Sequence, residues 1–188
     1  MPSNFYKKEF IAKDGTKFIL REPKISDVKQ LMDEINSFVD EPKSGLSINK
    51  KMNLKEAKVW LKSVLKEIKK KERILLAVEI NKRIVGECGV TREKWKKNHI
   101  AMLGIELMKE ARGKGIGTTV INELIKLTKK RMKGLEFIDL SHFDYNKKAD
   151  HMYQNIGFRH IGRLPKLSKE ERAYSDEIFM RYCLNRNH

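Results

Sequence analysis

The sequence has few cysteines and prolines and lacks any long hydrophobic run. Two cysteines and four prolines occur among 188 residues, which excludes a disulfide framework, a cysteine-rich zinc module and a collagen-like chain. Charged residues interrupt every apolar segment, so no stretch approaches the roughly 20 apolar residues that span a bilayer. We therefore expect a protein of a reducing, cytoplasmic compartment that does not associate with membranes.

Acidic and aromatic residues are also scarce. Aromatic side chains make up 8% of the chain, and 25 Asp and Glu stand against 41 Lys and Arg, which leaves a net charge of +16. Such an excess suits anionic partners such as a nucleotide cofactor or nucleic acid. The sequence lacks zinc-finger spacing and an aromatic RNA-binding signature, which weakens the case for nucleic acid. Most lysines lie on predicted helix faces and turns, where solvation and composition explain them.

Apolar periodicity predicts one mixed α and β domain over residues 1–188, since no linker or repeat divides the chain. Hydrophobic residues make up 40% of the sequence, which is enough for a core. Four helices are predicted: one capped by Ser26, a second with an Asn53–Glu56 capping box, a third that starts near Gly115–Gly117 and a fourth at 147–156. Residues 40–53 form a polar connection. Seven strands are expected: 16–22, 74–80, 83–91, 99–108, 135–141, 158–164 and 174–184.

A glycine-rich turn lies between the predicted strand 99–108 and the third helix. It reads Arg112-Gly113-Lys114-Gly115-Ile116-Gly117-Thr118. It is not a Walker loop, because no Lys-Ser/Thr follows its last glycine, and it lacks the further glycine of the dinucleotide fingerprint. Glycines let backbone N–H groups approach a ligand closely, and the helix N-terminus that follows attracts negative charge. The turn therefore predicts a pyrophosphate site, and an ordinary strand-to-helix turn is the alternative.

Residues 99–118 and 137–158 contain two motifs in a recognisable order. The first runs through a strand, a short acidic turn and an R-x-x-G-x-G loop. The second has a strand followed by Asn146, Ala149, Tyr153 and Gly157-Phe158. Together they resemble the GNAT superfamily of acetyl-CoA-dependent N-acetyltransferases. The resemblance implies an α/β (α+β) fold with a mixed, mostly antiparallel sheet of six to seven strands, about four flanking helices and a splayed cleft for acetyl-CoA.

The same resemblance implies acetyl-CoA as cosubstrate and no metal. Backbone groups of the splayed strand would hold the acetyl carbonyl and the pantetheine amides, at Ile105, Glu106 and Leu107. Asn146 would contact the pantetheine arm, although a plain helix N-cap is the alternative. The phosphates would lie against the glycine-rich turn, beside Lys147 or Lys148, and the residues of that turn are Arg112, Gly113, Lys114, Gly115, Ile116, Gly117 and Thr118.

The implied reaction is direct attack of a neutral amine on the thioester. Tyr153 matches the position of the usual general acid, which protonates the departing sulfur, and a core aromatic is the alternative. In the branch that acetylates protein N-termini, a glutamate commonly occupies the position of Ser141 in this chain. The general base therefore stays open among Glu106, Glu87 and His99.

The closing segment 173–180 resembles that of small-molecule, amino-acid and polyamine acetyltransferases. Asp176 in this segment is a candidate for attracting a cationic amine, or else a polar residue that begins a strand. We expect acetyl transfer to the primary amine of a small molecule. A protein N-terminus or lysine is the alternative acceptor, and a non-catalytic acyl-CoA-sensing or nucleic-acid-binding module is a third hypothesis. A homodimer is a possible assembly, since dimers are frequent in the superfamily.

Overall fold

The computed structural model describes residues 5–45, 48, 50–170 and 173–185, and part of the 40–53 connection, residues 46, 47 and 49, lies outside this description. Four α-helices and eight strands are found in the described chain, together with three short 3-10 helices. The strands are Lys7–Ile11 (β1), Lys17–Arg21 (β2), Arg73–Ile80 (β3), Arg83–Arg92 (β4), Ile100–Leu107 (β5), Phe137–Phe143 (β6), Arg159–Glu170 (β7) and Ala173–Cys183 (β8). The α-helices are Val28–Val39 (α1), Leu54–Lys69 (α2), Ile116–Arg131 (α3) and Lys147–Ile156 (α4).

The strands form one open sheet in the order β1-β2-β3-β4-β5-β6-β8-β7. Adjacent strands are antiparallel except β5 and β6, which are parallel and joined through α3. The mixed, mostly antiparallel architecture agrees with the prediction, but the sheet has eight strands rather than six or seven. The additional strand is β1, an edge strand whose largely exposed sequence KKEFI shows no alternation of apolar and polar residues.

The helix starts follow from local hydrogen bonds. The capping box of α2 is confirmed, because the Asn53 side chain accepts from the backbone N–H groups of Lys55 and Glu56 while Glu56 accepts from Asn53 N–H. Ser26, in contrast, does not cap α1. A 3-10 turn precedes that helix, and the Asp27 carboxylate accepts from Lys24 N–H at 2.6 Å and from Arg21.

Two apolar clusters lie on opposite faces of the sheet. The larger one packs α3 and α4 against the sheet and contains Leu76, Cys88, Val120 and Phe158. The smaller one packs α1 and α2 against the other face through Leu31, Leu61, Leu75 and Ala77. Cys88 is buried and Cys183 exposed, and both are free thiols. In the described part of the chain, no helix is long and apolar enough to cross a membrane.

The parallel strands β5 and β6 diverge after a short contact. They pair only at Ile100, Ala101 and Met102, opposite residues 137–139. Beyond this point β5 stays paired with β4 as far as Leu107, and β6 stays paired with β8 as far as Phe143. One edge of each strand is therefore left open, and the sheet splits into a wedge-shaped cleft.

Candidate active site

The divergence of β5 and β6 creates a cleft of about 820 Å³. Its first wall is the open half of β5, from Leu103 to Leu107, and its second wall is formed by Ser141, His142 and Phe143 of β6. The glycine-rich turn closes one end. An open β-strand edge presents backbone N–H and C=O groups that pair with an extended, amide-bearing ligand. The predicted residues Ile105, Glu106 and Leu107 all line this edge.

The glycine-rich turn leads directly into α3, as the sequence predicts. Gly113 and Gly115 have φ angles of +75° and +80°, a backbone region that favours glycine. Helix α3 begins at Ile116, and the first helical hydrogen bond runs from Thr119 N–H to the Gly115 carbonyl. The preceding N–H groups have no acceptor within the helix and point out of its N-terminus. This is the geometry that binds phosphate groups.

The other predicted residues of the turn contribute unequally. Gly113, Gly115, Gly117 and Thr118 line the cleft. Ile116 has its side chain in the core, at 1% exposure, so only its backbone is available to a ligand. The Lys114 ammonium lies 3.2 Å from Asp14 Oδ2 and does not line the cleft.

Arg112 pairs with Glu41, two residues beyond the end of α1. Its guanidinium donates to both carboxylate oxygens of Glu41, at 2.5 and 3.0 Å, and its Nε donates to the Leu107 carbonyl at 2.6 Å. The Arg112 charge holds the pKa of Glu41 below its usual value through a hydrogen bond. Arg112 therefore connects the end of β5 with the segment that follows α1. No sequence pattern indicated Glu41 as its partner.

Asn146 and Tyr153 both line the cleft from α4. The Asn146 side chain accepts from Ala149 N–H at 3.2 Å, so it is the N-cap of α4 as well as a cleft residue. Lys148 also lines the cleft, whereas Lys147 does not. Tyr153 is 7% exposed, and burial, followed by the charges of Cys88 and Glu106, raises its pKa above the usual value. Its hydroxyl therefore keeps its proton at neutral pH.

A family model described as "Acetyltransferase (GNAT) family" matches residues 39–158. This match spans more than half of the chain and includes the cleft, the glycine-rich turn and α4. The chain belongs to the GNAT acetyltransferase family. It is an acetyl-CoA-dependent N-acetyltransferase.

Solved structures show the same fold at low sequence identity. The ribosomal-protein-S5-alanine acetyltransferase from Vibrio fischeri superposes with a TM-score of 0.83 at 18% identity, covering 96% of this chain and 98% of its own. An N-acetyltransferase from Staphylococcus aureus Mu50 gives 0.80 at 19%, covering 89% and 99%. YncA, a putative acetyltransferase from Salmonella typhimurium solved with its cofactor acetyl-CoA, gives 0.78 at 15%, covering 90% and 95%. No curated protein sequence matches this chain significantly.

The GNAT cleft of this chain has two carboxylates side by side on the sheet. Glu87 of β4 and Glu106 of β5 are register partners, and both lie on the sheet face that α1 and α2 cover. Burial and then the Glu87 charge raise the pKa of Glu106 to about 8. Burial also raises the pKa of Glu87, against the opposing effect of Arg73. Glu106 lines the cleft, and Glu87 lies beside Glu106 on the neighbouring strand.

Sequence reasoning missed a third carboxylate, Glu34 of α1. It is 1% exposed, and neither of its oxygens has a hydrogen-bond partner among the described residues. Burial raises its pKa most, followed by the charges of Glu87 and Glu106. The available signal was its position between Leu31 and Phe38, inside the apolar stripe of α1.

Two predicted site residues lie away from the cleft. His99 precedes β5 at the closed end of the wedge, where its ring packs edge-on against Phe137. Glu106 is seven residues further along the strand, about 23 Å away at the usual rise per residue. Asp176 is occupied by Arg163 Nε at 2.7 Å and by Lys166 N–H at 2.9 Å, and it does not line the cleft. The structure therefore brings Glu106, Glu87 and Tyr153 together but leaves His99 and Asp176 apart.

Proposed function

We propose that this enzyme transfers the acetyl group of acetyl-CoA to a primary amine of a small cationic molecule. The observation that carries the proposal is the group of three carboxylates, Glu34, Glu87 and Glu106, which we call the carboxylate cluster. It comes from α1, β4 and β5 and lies beside the strand that would hold the thioester. The chain carries a net charge of +16, so this concentration of acids is a local exception.

The carboxylate cluster suits an ammonium ion for an electrostatic reason. Carboxylates that share a buried site cannot all ionise, because each negative charge raises the pKa of the others. An incoming ammonium lowers those pKa values and binds to the ionised form. A neutral or anionic acceptor would supply no such compensation. The cluster therefore favours acceptors that carry one or more positive charges.

The reaction also requires a base whose strength matches the acceptor. At pH 7, removing the proton costs about 1.4 kcal/mol for an α-amino group with a pKa near 8, and about 4.6 kcal/mol for an alkyl amine near 10.4. A base with a pKa near the operating pH is the most effective. Glu106, whose pKa is raised to about 8, meets this condition and lines the cleft.

In the proposed mechanism, Glu106 accepts one proton from the bound ammonium, directly or through a water molecule. The amine lone pair then attacks the acetyl carbonyl and forms a tetrahedral oxyanion, which backbone N–H groups near Leu107 stabilise. The C–S bond breaks, Tyr153 protonates the CoA thiolate, and the proton released on forming the amide restores Tyr153. The products are an N-acetyl amine and CoA.

The test is a measurement of CoA thiol release over matched amines. 1,4-Diaminobutane and 4-amino-1-butanol have the same reacting group, and only the first carries a second charge. We expect kcat/KM to be at least tenfold higher for the diamine than for the amino alcohol. Peptides with a free N-terminal alanine or an internal lysine test the alternative acceptors. Turnover of either peptide without turnover of the small amines would overturn the proposal.

A further inference from the structure

Two histidines and an aspartate meet between β6, α4 and β7. They are His142, Asp150 and His160. Asp150 Oδ1 lies 3.1 Å from His142 Nε2 and 2.5 Å from His160 Nε2. One potential ligand atom from each residue lies within 4.8 Å of those of the other two. None of these residues has a part in the proposed acetyl transfer, so their convergence needs a separate explanation.

The hydrogen bonds of His142 fix where its lone pair points. Its Nδ1 lies 3.0 Å from the Phe143 carbonyl oxygen, which can only accept, so Nδ1 carries the hydrogen. The lone pair of the neutral imidazole is then on Nε2, which faces the Asp150 carboxylate. Two electron pairs at 3.1 Å repel each other unless a cation or a second proton lies between them. The His142 side chain is only 4% exposed, so bulk water does not screen this repulsion.

The surrounding hydrogen bonds are those found around metal ligands. A ligating histidine usually donates its other N–H to a carbonyl or carboxylate, which fixes the ring and its tautomer. The Phe143 carbonyl does this for His142. Gln154 Nε2 donates to Asp150 Oδ2 at 2.8 Å, which leaves Oδ1 directed toward the two imidazoles. The ligand atoms His142 Nε2 and Asp150 Oδ1 are therefore directed toward the same point.

We propose that His142 Nε2, Asp150 Oδ1 and His160 Nε2 bind a divalent transition metal ion of the zinc type. Two imidazoles and one carboxylate suit zinc, with water as a fourth ligand. Tetrahedral bonds of about 2.0–2.1 Å place ligand atoms about 3.3 Å apart. The 3.1 Å pair already matches this spacing. The 2.5 Å pair reaches it by a rotation of His160, whose side chain is 48% exposed.

The bound ion would join β7 to β6 and α4, two elements that line the cleft. His142 is flanked by Ser141 and Phe143, and Asp150 follows Ala149, all of which line the cleft. The ion has no role in the acetyl transfer itself, which agrees with the metal-free reaction that the resemblance to the GNAT superfamily implies. It holds β6 and α4 at the spacing that the pantetheine arm needs.

The test uses the full chain without an affinity tag, freed of metal with a chelator and titrated with Zn²⁺ in a calorimeter. We expect one ion per chain and, for Co²⁺, visible absorption bands of a tetrahedral nitrogen and oxygen site. At a Zn²⁺ concentration 100 times the Kd, Tm should rise by about 5–10 °C. His160→Ala should weaken binding at least 100-fold and abolish the Tm shift. Gln154→Ala, which removes only the orienting contact, should weaken binding about tenfold.

His151→Ala is the matched control, because it removes an exposed imidazole from the next position of α4. This variant should bind zinc like the unmodified enzyme. Absence of stoichiometric binding to the unmodified enzyme would overturn the proposal and leave the three residues as a hydrogen-bonded group. Equal affinity in His160→Ala would also overturn it, since binding would then occur elsewhere on the surface.

Discussion

The two sides of the cleft are built in different ways. The acetyl-CoA side consists of the β5 edge, the glycine-rich turn and α4, and it offers mainly backbone groups that nearby residues place. The proposed amine side consists of side chains brought from distant positions, Glu34, Glu87 and Glu106, of which Glu106 lines the cleft. A backbone site follows from local turn and helix geometry, whereas a side-chain cluster depends on tertiary packing. The sequence therefore predicts the cosubstrate but not the acceptor.

The largest expected effect comes from neutralising the base on the amine side. Glu106→Gln keeps the shape of β5 but cannot accept a proton, so kcat should fall by about 10²–10⁴-fold. The Kd of acetyl-CoA should change by less than about threefold, because the open strand edge is retained. An assay of CoA thiol release measures kcat, and calorimetric titration measures the Kd of acetyl-CoA. Glu110→Gln, at an exposed glutamate just beyond β5, is the control, and unchanged kcat in Glu106→Gln would assign the base elsewhere.

The second prediction concerns the stability cost of Glu34. Burial raises the pKa of Glu34 in the folded state above its ordinary value of 4.5. At pH values above 4.5, folding therefore requires the uptake of a proton, and the free energy of unfolding falls as the pH rises. Glu34→Gln does not titrate. Its free energy of unfolding should exceed that of the unmodified enzyme by about 2 kcal/mol at pH 7, and the difference should disappear near pH 4.

Urea denaturation at the two pH values measures the Glu34 effect. Asp33→Asn is the control, because Asp33 is exposed on the same helix and pairs with Lys29 across one turn; its effect should stay within about 0.5 kcal/mol. A difference between Glu34→Gln and the unmodified enzyme that is equal at both pH values would contradict a buried, protonated carboxyl group.

The same contrast explains what the sequence could predict. Most elements, the glycine-rich turn and the positions of Asn146 and Tyr153 follow from patterns within about 20 residues of one another. β1 was missed because it shows no alternation: Lys7, Lys8 and Glu9 are three consecutive exposed charged residues. His99 lies outside the cleft, and strand periodicity could not show this, because it indicates a face but not which end of β5 lies in the cleft. Glu34 acquires its role only when α1 packs beside β4 and β5.

The third prediction concerns the acetyl-CoA side of the cleft, where an added side chain would obstruct the backbone groups of the glycine-rich turn. Gly117 lines the cleft in the first turn of α3, and an added Cβ would lie 3.1 Å from Met152 Sδ and 3.6 Å from Leu107 Cδ1. Gly117→Val should therefore narrow the approach to the helix N-terminus and raise the Kd of acetyl-CoA about tenfold, about 1.4 kcal/mol. Calorimetric titration measures this. Gly162→Val, at an exposed glycine with open space around it, should leave the Kd unchanged, and tight binding by Gly117→Val would contradict close approach of the cosubstrate there.

The smallest expected effect is a change in pH dependence within the carboxylate cluster. After burial, the Glu87 charge is the main cause that raises the pKa of Glu106 to about 8. Glu87→Gln removes that charge, so the pKa of Glu106 should fall. Glu106 is active as a base in its ionised form, and the acid limb of kcat/KM should therefore move to lower pH, by less than about one unit. A rate profile between pH 5 and pH 9 measures the shift. If the acid limb stays in place or moves to higher pH, the titrating group is not coupled to Glu87. The proposed amine side would then lack the interaction between carboxylates that distinguishes it from the acetyl-CoA side.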